Sequence, residues 1–149
     1  MNVRKANLSD VSQILEIENQ SFGGDSFNRR QFIYLITKAK GLFLVIEEAG
    51  KILAYISLSD NKRYSYTRLY SIAVRPEARG HKLADKLMDR MIEYAEQNHF
   101  SAIRLEVKEN NLAAIRLYQK YDFKSVSIKK HYYHGGANAI TMIKRLSAH

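Results

Sequence analysis

A strongly amphipathic segment between residues 82 and 98 constrains the fold of this chain more than any other feature. Its charged side chains share one side, and its apolar side chains recur at helical spacing on the other, namely Leu83, Leu87, Met91, Tyr94 and Ala95. An apolar run at 69–74 precedes the segment, and an alternating run at 103–107 follows it. A helix with one apolar face between two strands has to pack on a sheet, so the pattern predicts an α/β fold.

The other periodicities predict the element order β-α-α-β-β-β-α-β-α-β-β. We expect strands over 2–6, 42–46, 52–59, 69–74, 103–107, 123–131 and 138–145, and helices over 9–22, 28–40, 82–98 and 111–120. Ser9 or Asp10 is the expected N-cap of the first helix. The polar stretch 60–63 predicts a turn. Six to seven strands of mixed direction are therefore expected in one sheet, with helices on both faces.

Length and composition favour a single cytoplasmic domain over residues 1–149. The chain contains no internal repeat and no Pro/Gly/Ser-rich linker, and its N-terminus lacks the apolar core of a secretory signal. No apolar run reaches the roughly 18–20 residues that a membrane span needs. There is no cysteine, which excludes disulfides and a thiolate nucleophile. His131 and His134 lack a matched set of further ligands, so no metal site is predicted.

The formal net charge of +9 allows several kinds of anionic partner. Excess Lys and Arg suit nucleic acid, a membrane surface or a small polyanion. The basic residues are scattered, without a block of five like charges and without interleaved aromatic residues. This distribution disfavours a nucleic-acid partner. A generally basic, solvated surface and a ligand with several phosphates both remain open.

Residues 69–84 have the order strand, turn, glycine and helix start. The first turn of a helix presents unpaired N–H groups and a partial positive charge, which suits phosphate. Gly80 permits close approach of a ligand to the backbone, and Arg79 and Lys82 add positive charge. These residues alone leave a phosphate site and an ordinary turn both possible.

The same segment resembles motif A of the GNAT family of N-acetyltransferases, whose pattern is Q/R-x-x-G-x-G/A. Arg79 matches the first position and Ala84 the last, whereas Lys82 replaces the middle glycine. The resemblance implies a GNAT fold, with a mostly antiparallel sheet, and acetyl-CoA as co-substrate. It also implies which residues contact acetyl-CoA: Ile72, Ala73 and Val74 beside the pantetheine arm, and Arg79, Gly80, His81, Lys82, Leu83 and Ala84 around the pyrophosphate.

Residues 105–118 are similar to the RimI-like ribosomal-protein alanine N-acetyltransferases and their N-terminal acetyltransferase relatives. The matching positions are Leu105-Glu106-Val107, Asn111 and Leu117-Tyr118. Amine acetylation has to remove a proton from an ammonium and return one to a thiolate, which a carboxylate and a phenol can do. By themselves Glu106 and Tyr118 also fit ordinary structural roles. The resemblance implies that Glu106 is the base and Tyr118 the acid, and that Asn111 contacts the cofactor.

The acceptor end is less determined than the cofactor end. The RimI-like group has a Tyr-Tyr pair in the loop that lines its acceptor site, which implies that Tyr132 and Tyr133 bind the acceptor here. Phe22, in the loop 22–27, is expected on the opposite wall. The acceptor remains open between a protein or peptide N-terminus, such as that of a ribosomal protein, and a small amine such as a polyamine, amino acid or aminoglycoside. A non-catalytic basic binding module is the third alternative.

Overall fold

The computed structural model describes residues 1–147 and is built around a seven-stranded sheet. The strands are β1 (Asn2–Lys5), β2 (Phe43–Glu48), β3 (Lys51–Asn61), β4 (Tyr66–Val74), β5 (Ala102–Lys108), β6 (Lys124–Lys129) and β7 (Ala139–Arg145). The α-helices are α1 (Val11–Phe22), α2 (Arg29–Thr37), α3 (Leu83–Gln97) and α4 (Leu112–Lys120). The order of strands and α-helices is the predicted one.

The sheet has the strand order β1-β2-β3-β4-β5-β7-β6. Every neighbouring pair is antiparallel except β4 and β5, which run parallel. The predicted α/β fold with a mixed, mostly antiparallel sheet is therefore confirmed. No helix within residues 1–147 combines the length and the apolar character needed to cross a bilayer.

Helices cover both faces of the sheet, as predicted. On one face α1 and α2 bury Ile14, Ile17 and Phe32 against the side chains of β2 and β3. On the other face α3 packs through the apolar residues expected from the sequence: Leu83, Leu87, Met91 and Ala95 are buried there, and Tyr94 is partly buried. The amphipathic pattern thus determined correctly which side of α3 faces the sheet.

The predicted turn at 60–63 is wrong at its first two positions, because β3 continues to Asn61 and β4 begins at Tyr66. Asp60 looked like a turn residue, but partners inside the fold satisfy its carboxylate. Thr67 donates to Oδ1 at 2.9 Å, and the Tyr94 hydroxyl donates to Oδ2 at 2.6 Å. A polar strand residue with buried partners does not end a strand.

The first helix also starts differently from the prediction. Asn7 caps a short 3-10 turn at Leu8–Asp10, and α1 follows from Val11. Asp10, one of the two predicted caps, stands at the N-cap position of α1, but its side chain makes no capping hydrogen bond to this helix. The Asp10 carboxylate instead accepts two hydrogen bonds from Arg4 of β1, both at 2.8 Å, which lower its pKa. This ion pair ties the start of α1 to the edge of the sheet.

The α2–β2 connection contains a close backbone contact that only glycine permits. A Cβ at position 41 would lie 2.1 Å from the carbonyl oxygen of Leu58, and Gly41 has φ 156°. We expect Gly41→Ala to lower the free energy of unfolding by about 2–4 kcal/mol, measured by urea denaturation. Gly24→Ala is the matched control, because a Cβ there meets no atom within 4 Å. Equal effects of the two substitutions would contradict the contact.

Candidate active site

The parallel pairing of β4 with β5 ends after four residues. Tyr66–Leu69 pairs with Ala102–Leu105. Beyond these residues β4 and β5 do not pair with each other. Just beyond this point β4 has a bulge, in which Tyr70 has no partner on β3. A bulge bends a strand and increases its twist, so β4 turns away from β5. We refer to the opening between residues 70–74 and 106–108 as the β4–β5 gap.

One edge of β4 offers backbone groups to this gap. The Arg75 N–H donates to the Leu53 carbonyl at 2.7 Å, so position 75 faces β3. Because backbone groups alternate in direction along a strand, those of Ile72 and Val74 face the gap. The backbone of both residues is therefore available to an extended ligand in the gap, and their contact with a pantetheine arm stays a prediction. Ala73 lies two positions from Arg75, so its backbone groups face β3 and point away from the gap.

Unpaired amides surround the start of α3, next to the gap. Within residues 1–147, the N–H groups of Gly80, His81 and Lys82 donate no hydrogen bond. The first turn, Leu83–Asp85, adds three N–H groups that have no acceptor within the helix. Six consecutive amides at a helix N-terminus suit the phosphates of a nucleotide-like ligand. Arg79 lies beside them, with its Nε donating to the Val74 carbonyl at 3.3 Å.

Lys82 occupies the position of the motif glycine and keeps the glycine-like backbone. Its φ and ψ are 58° and 31°, a left-handed conformation that costs a side-chain-bearing residue about 1–2 kcal/mol. The side chain is exposed and makes no hydrogen bond or ion pair within the described residues. The substitution therefore preserves the turn and adds a mobile positive charge at its rim.

Glu106 is the first β5 residue beyond the last β4–β5 pair, and only 3% of its side chain is exposed. Three cations contact its carboxylate. Arg68 Nη2 lies 2.8 Å from Oε1, in ion-pair but not hydrogen-bond geometry. Arg104 Nε and Lys129 Nζ lie 3.3 and 3.5 Å from Oε2. The Thr141 hydroxyl donates to Oε2 at 3.1 Å.

The electrostatic environment keeps Glu106 ionised. Burial raises the pKa of this carboxyl, because the anion loses hydration. The charges of Arg68, Lys129 and Arg104 and the hydrogen bond from Thr141 oppose burial and bring the pKa below its ordinary value. Glu106 is therefore a carboxylate throughout the neutral pH range, and a weak base.

Tyr118 reaches the site from α4 and is protonated at neutral pH. It is buried against Phe123, with ring centroids 5.9 Å apart. Burial raises the pKa of its hydroxyl, and nearby Tyr133 adds to the effect. Among the residues described, this hydroxyl has no hydrogen-bond partner, so it is free to donate. Asn111 caps the same helix, its Oδ1 accepting from the Ala114 N–H at 3.2 Å.

Two loops meet at the acceptor end. Tyr132 and Tyr133 contact each other edge to face, with centroids 5.0 Å apart. Asp25, in the loop after α1, accepts from Lys108 Nζ at 2.8 Å and from the His134 N–H at 3.2 Å, which joins the two walls.

The wall after α1 contains two phenylalanines, and Phe22, the one named from the sequence, stays a prediction as an acceptor contact. Phe22 and Phe27 both pack against the core under α1 and α2. Phe27 is the residue whose ring contacts the bulge residue Tyr70, at 5.8 Å. Both lie in one short glycine-containing segment, and the sequence offers no signal to choose between them.

The cations around Glu106 were also missed by sequence reasoning. Arg68, Arg104 and Lys129 lie on three different strands, and only the register of the sheet brings them together. Charged residues at alternate strand positions otherwise indicate no more than a polar face. Within residues 1–147, no group of three or more His, Cys, Asp or Glu side chains is arranged to hold a metal ion.

A strand-edge gap beside a helix start with unpaired amides suits a ligand that has phosphates and an extended arm. The model of the Acetyltransferase (GNAT) family matches residues 9–123, and the chain belongs to this family. It is an acetyl-CoA-dependent N-acetyltransferase.

Relatives and solved structures agree with this assignment. A Bacillus subtilis (strain 168) protein, provisionally named a [ribosomal protein bS18]-alanine N-acetyltransferase, is 29% identical over 94% of this chain and 92% of its own length. The N-alpha-acetyltransferase RimI of Mycobacterium tuberculosis is 26% identical over 90% of this chain and 85% of its own. The crystal structure of Ard1 from Thermoplasma volcanium has a TM-score of 0.91 at 25% identity, covering 98% and 97% of the two chains.

The charge of Lys82 yields a prediction about coenzyme A binding. We expect Lys82→Gln to raise the Kd for coenzyme A about threefold to fivefold at low salt, because an exposed cation beside phosphate contributes at most about 1 kcal/mol. Isothermal titration calorimetry measures this, and the difference should shrink as salt is added. Lys62→Gln, an equal charge change in the β3–β4 turn, is the control. If both variants bind like the parent, the Lys82 ammonium does not meet the phosphates.

Proposed function

We propose that this enzyme acetylates the α-amine at the N-terminus of a protein or peptide. The observation that carries the proposal is the position of Glu106 beside the β4–β5 gap, where Arg68, Arg104 and Lys129 contact its buried carboxylate and keep it ionised. A weak carboxylate base favours an amine that loses its proton easily. An α-ammonium has a pKa of about 7.7–8.0, whereas a lysine side chain has about 10.4. Each unit of this difference costs about 1.4 kcal/mol, so the α-amine is the better acceptor.

The residues fit a direct transfer between two bound substrates. Acetyl-CoA, when bound, supplies the acetyl group as an activated thioester. The amides of Gly80–Asp85 fit its phosphates, and the backbone of Ile72 and Val74 fits its extended arm. Because the chain has no cysteine, an acyl-cysteine route is excluded.

The two proton transfers are assigned to Glu106 and Tyr118. Glu106 accepts the proton that the α-ammonium loses, either directly or through a water molecule. The amine nitrogen then bonds to the acetyl carbon as the carbon–sulfur bond breaks. The Tyr118 hydroxyl, unpaired among the described residues, donates its proton to the departing sulfur. The second proton of the nitrogen, acidic once the carbon–nitrogen bond has formed, returns through water to the Tyr118 phenolate, and Glu106 releases its proton to solvent. Both groups have the protonation state that these roles require at neutral pH.

Substitution of the two groups tests this assignment. We expect Glu106→Gln and Tyr118→Phe each to lower kcat by about 10²-fold or more, since a positioned acid or base contributes that much. The KM for acetyl-CoA should change little, because neither side chain holds the phosphates. Glu109→Gln and Tyr64→Phe, at exposed positions, serve as matched controls. If both active-site variants keep kcat within about twofold of the parent, the acid–base assignment is wrong.

The acceptor class is tested by the pH dependence of the rate. For an N-terminal peptide, we expect kcat/KM to rise with pH and to level near pH 8, because the α-amine and not Glu106 limits deprotonation. For a lysine peptide or a polyamine, the rise should continue toward pH 10. At pH 7.5 the N-terminal peptide should be preferred at least tenfold. If kcat/KM levels near the same pH for every acceptor, the group whose deprotonation limits the rate belongs to the enzyme and not to the acceptor amine.

A small amine is the second candidate, and one contact favours it. The Asp25 bridge between the two loops narrows the acceptor end. A small acceptor would pass this bridge more readily than a folded N-terminus. Higher kcat/KM for amino acids, polyamines or aminoglycosides than for peptides would support this candidate. Among protein acceptors, a ribosomal-protein N-terminus is suggested by the name of the Bacillus subtilis relative, and a cytoplasmic location would accompany it.

A further inference from the structure

The surroundings of Glu106 carry more positive charge than one carboxylate can compensate. Arg68, Arg104 and Lys129 all lie within 3.5 Å of it. The neighbouring Lys108 is not part of this excess, because Asp25 pairs with it at 2.8 Å. The three cations and Glu106 therefore leave two positive charges beside the position of the acceptor amine.

Stability alone does not account for this arrangement. Arg68 and Arg104 are direct partners across the β4–β5 pair, and like charges in such a position repel. The Nε of Arg68 is buried and has no hydrogen-bond partner within residues 1–147. An unpaired buried N–H costs about 1–3 kcal/mol. This Nε belongs to the guanidinium beside Glu106 Oε1, and that oxygen also lacks a hydrogen bond, so the buried pair is no contact for a ligand. The repulsion among the cations is the feature that an added anion would relieve.

The cations are held in place before any ligand arrives. The Arg68 guanidinium lies 4.6 Å from the centre of the Tyr70 ring. Arg68 also donates to the Tyr132 hydroxyl at 3.1 Å, and Lys129 Nζ lies 5.4 Å from the centre of the same Tyr132 ring. Cations fixed against aromatic rings lose little conformational entropy when they bind an anion. The arrangement therefore resembles a prepared binding site.

The cations also remain accessible. The helices α1 and α2 bury their apolar side chains against β2, β3 and β4. The side chains of Arg68, Arg104 and Lys129 are 29%, 33% and 38% exposed, whereas Glu106 between them is 3% exposed. An acceptor that approaches Glu106 meets these cations first.

We propose that the cluster of Arg68, Arg104 and Lys129 binds a carboxylate of the acceptor, so that the enzyme selects N-termini with Asp or Glu as the second residue. This inference rests on the proposed function, because it takes the α-amine to lie at Glu106. One residue of extended chain spans about 3.3–3.6 Å, so the second side chain reaches beyond Glu106 to the cations that contact it. A basic second residue is repelled by the same charges.

Three peptides that begin Ala-Glu, Ala-Gln and Ala-Lys and are otherwise neutral and identical test the proposal. At low salt we expect kcat/KM for Ala-Glu to exceed that for Ala-Gln by about threefold to tenfold, which is the size expected for partly exposed charge pairs. Ala-Lys should be the poorest acceptor. In the Lys129→Gln and Arg104→Gln variants, the ratio of kcat/KM for the Ala-Glu peptide to kcat/KM for the Ala-Gln peptide should fall toward one. Lys130→Gln makes the same charge change on the adjacent residue, and this variant should keep the peptide ratio of the parent enzyme.

The outcomes separate this inference from the proposed function. If peptides are acetylated but Ala-Gln equals or exceeds Ala-Glu, the carboxylate site is wrong while the N-terminal activity stands. The site is also wrong if Lys129→Gln lowers both rates equally, because the cation then acts only on Glu106. If only small amines are acetylated, the proposed function fails, and the carboxylate site is then tested with free aspartate and asparagine as acceptors. Equal kcat/KM values for these two amino acids would overturn the carboxylate site as well.

Discussion

The shortness of the parallel β4–β5 pairing is the constraint on which the site depends. Four residue pairs hold the two strands together, and the bulge at Tyr70 then turns β4 away. If the pairing continued, β5 would occupy the edge of β4 that now presents the backbone of Ile72 and Val74. Glu106 would then face a closed sheet. The fold therefore creates the β4–β5 gap by ending a ladder of hydrogen bonds, and the backbone groups left unpaired are available to a ligand.

The start of α3 is tied to α4, the helix that carries Tyr118. Asp85, in its first turn, binds Lys120 Nζ at 2.5 Å and the Tyr121 hydroxyl at 2.8 Å, both near the end of α4. The negative charge that would oppose phosphate at this helix start is thereby compensated. The same contacts fix α4, and α4 carries Tyr118. The compensated charge of Asp85 thus leaves the amides at the start of α3 suitable for anions. The same carboxylate holds α4 in place, and with it the Tyr118 hydroxyl.

Sequence patterns predicted the elements better than they predicted the site. The periodicity of α3 identified its buried side because burial of apolar residues alone decides it. Glu106 and Tyr118 were singled out only through a family resemblance, since an acid on a strand and a phenol on a helix are common. The cation cluster was not predictable, because it depends on the register of four strands and on the bulge. Asp60 misled the prediction, because its hydrogen-bond partners, Thr67 and Tyr94, belong to other elements, β4 and α3.

The cation cluster also bears on how Glu106 can act as a base. Three nearby cations keep the carboxylate ionised but lower its affinity for a proton, so the unliganded site is poorly suited to deprotonate an amine. An acceptor carboxylate bound to Arg104 and Lys129 would offset part of their charge. With less positive charge around it, Glu106 would bind a proton more tightly, and its pKa would rise toward that of the amine. Binding of an acidic acceptor would then strengthen the base that the reaction needs, so charge selection at the second residue would affect kcat as well as KM.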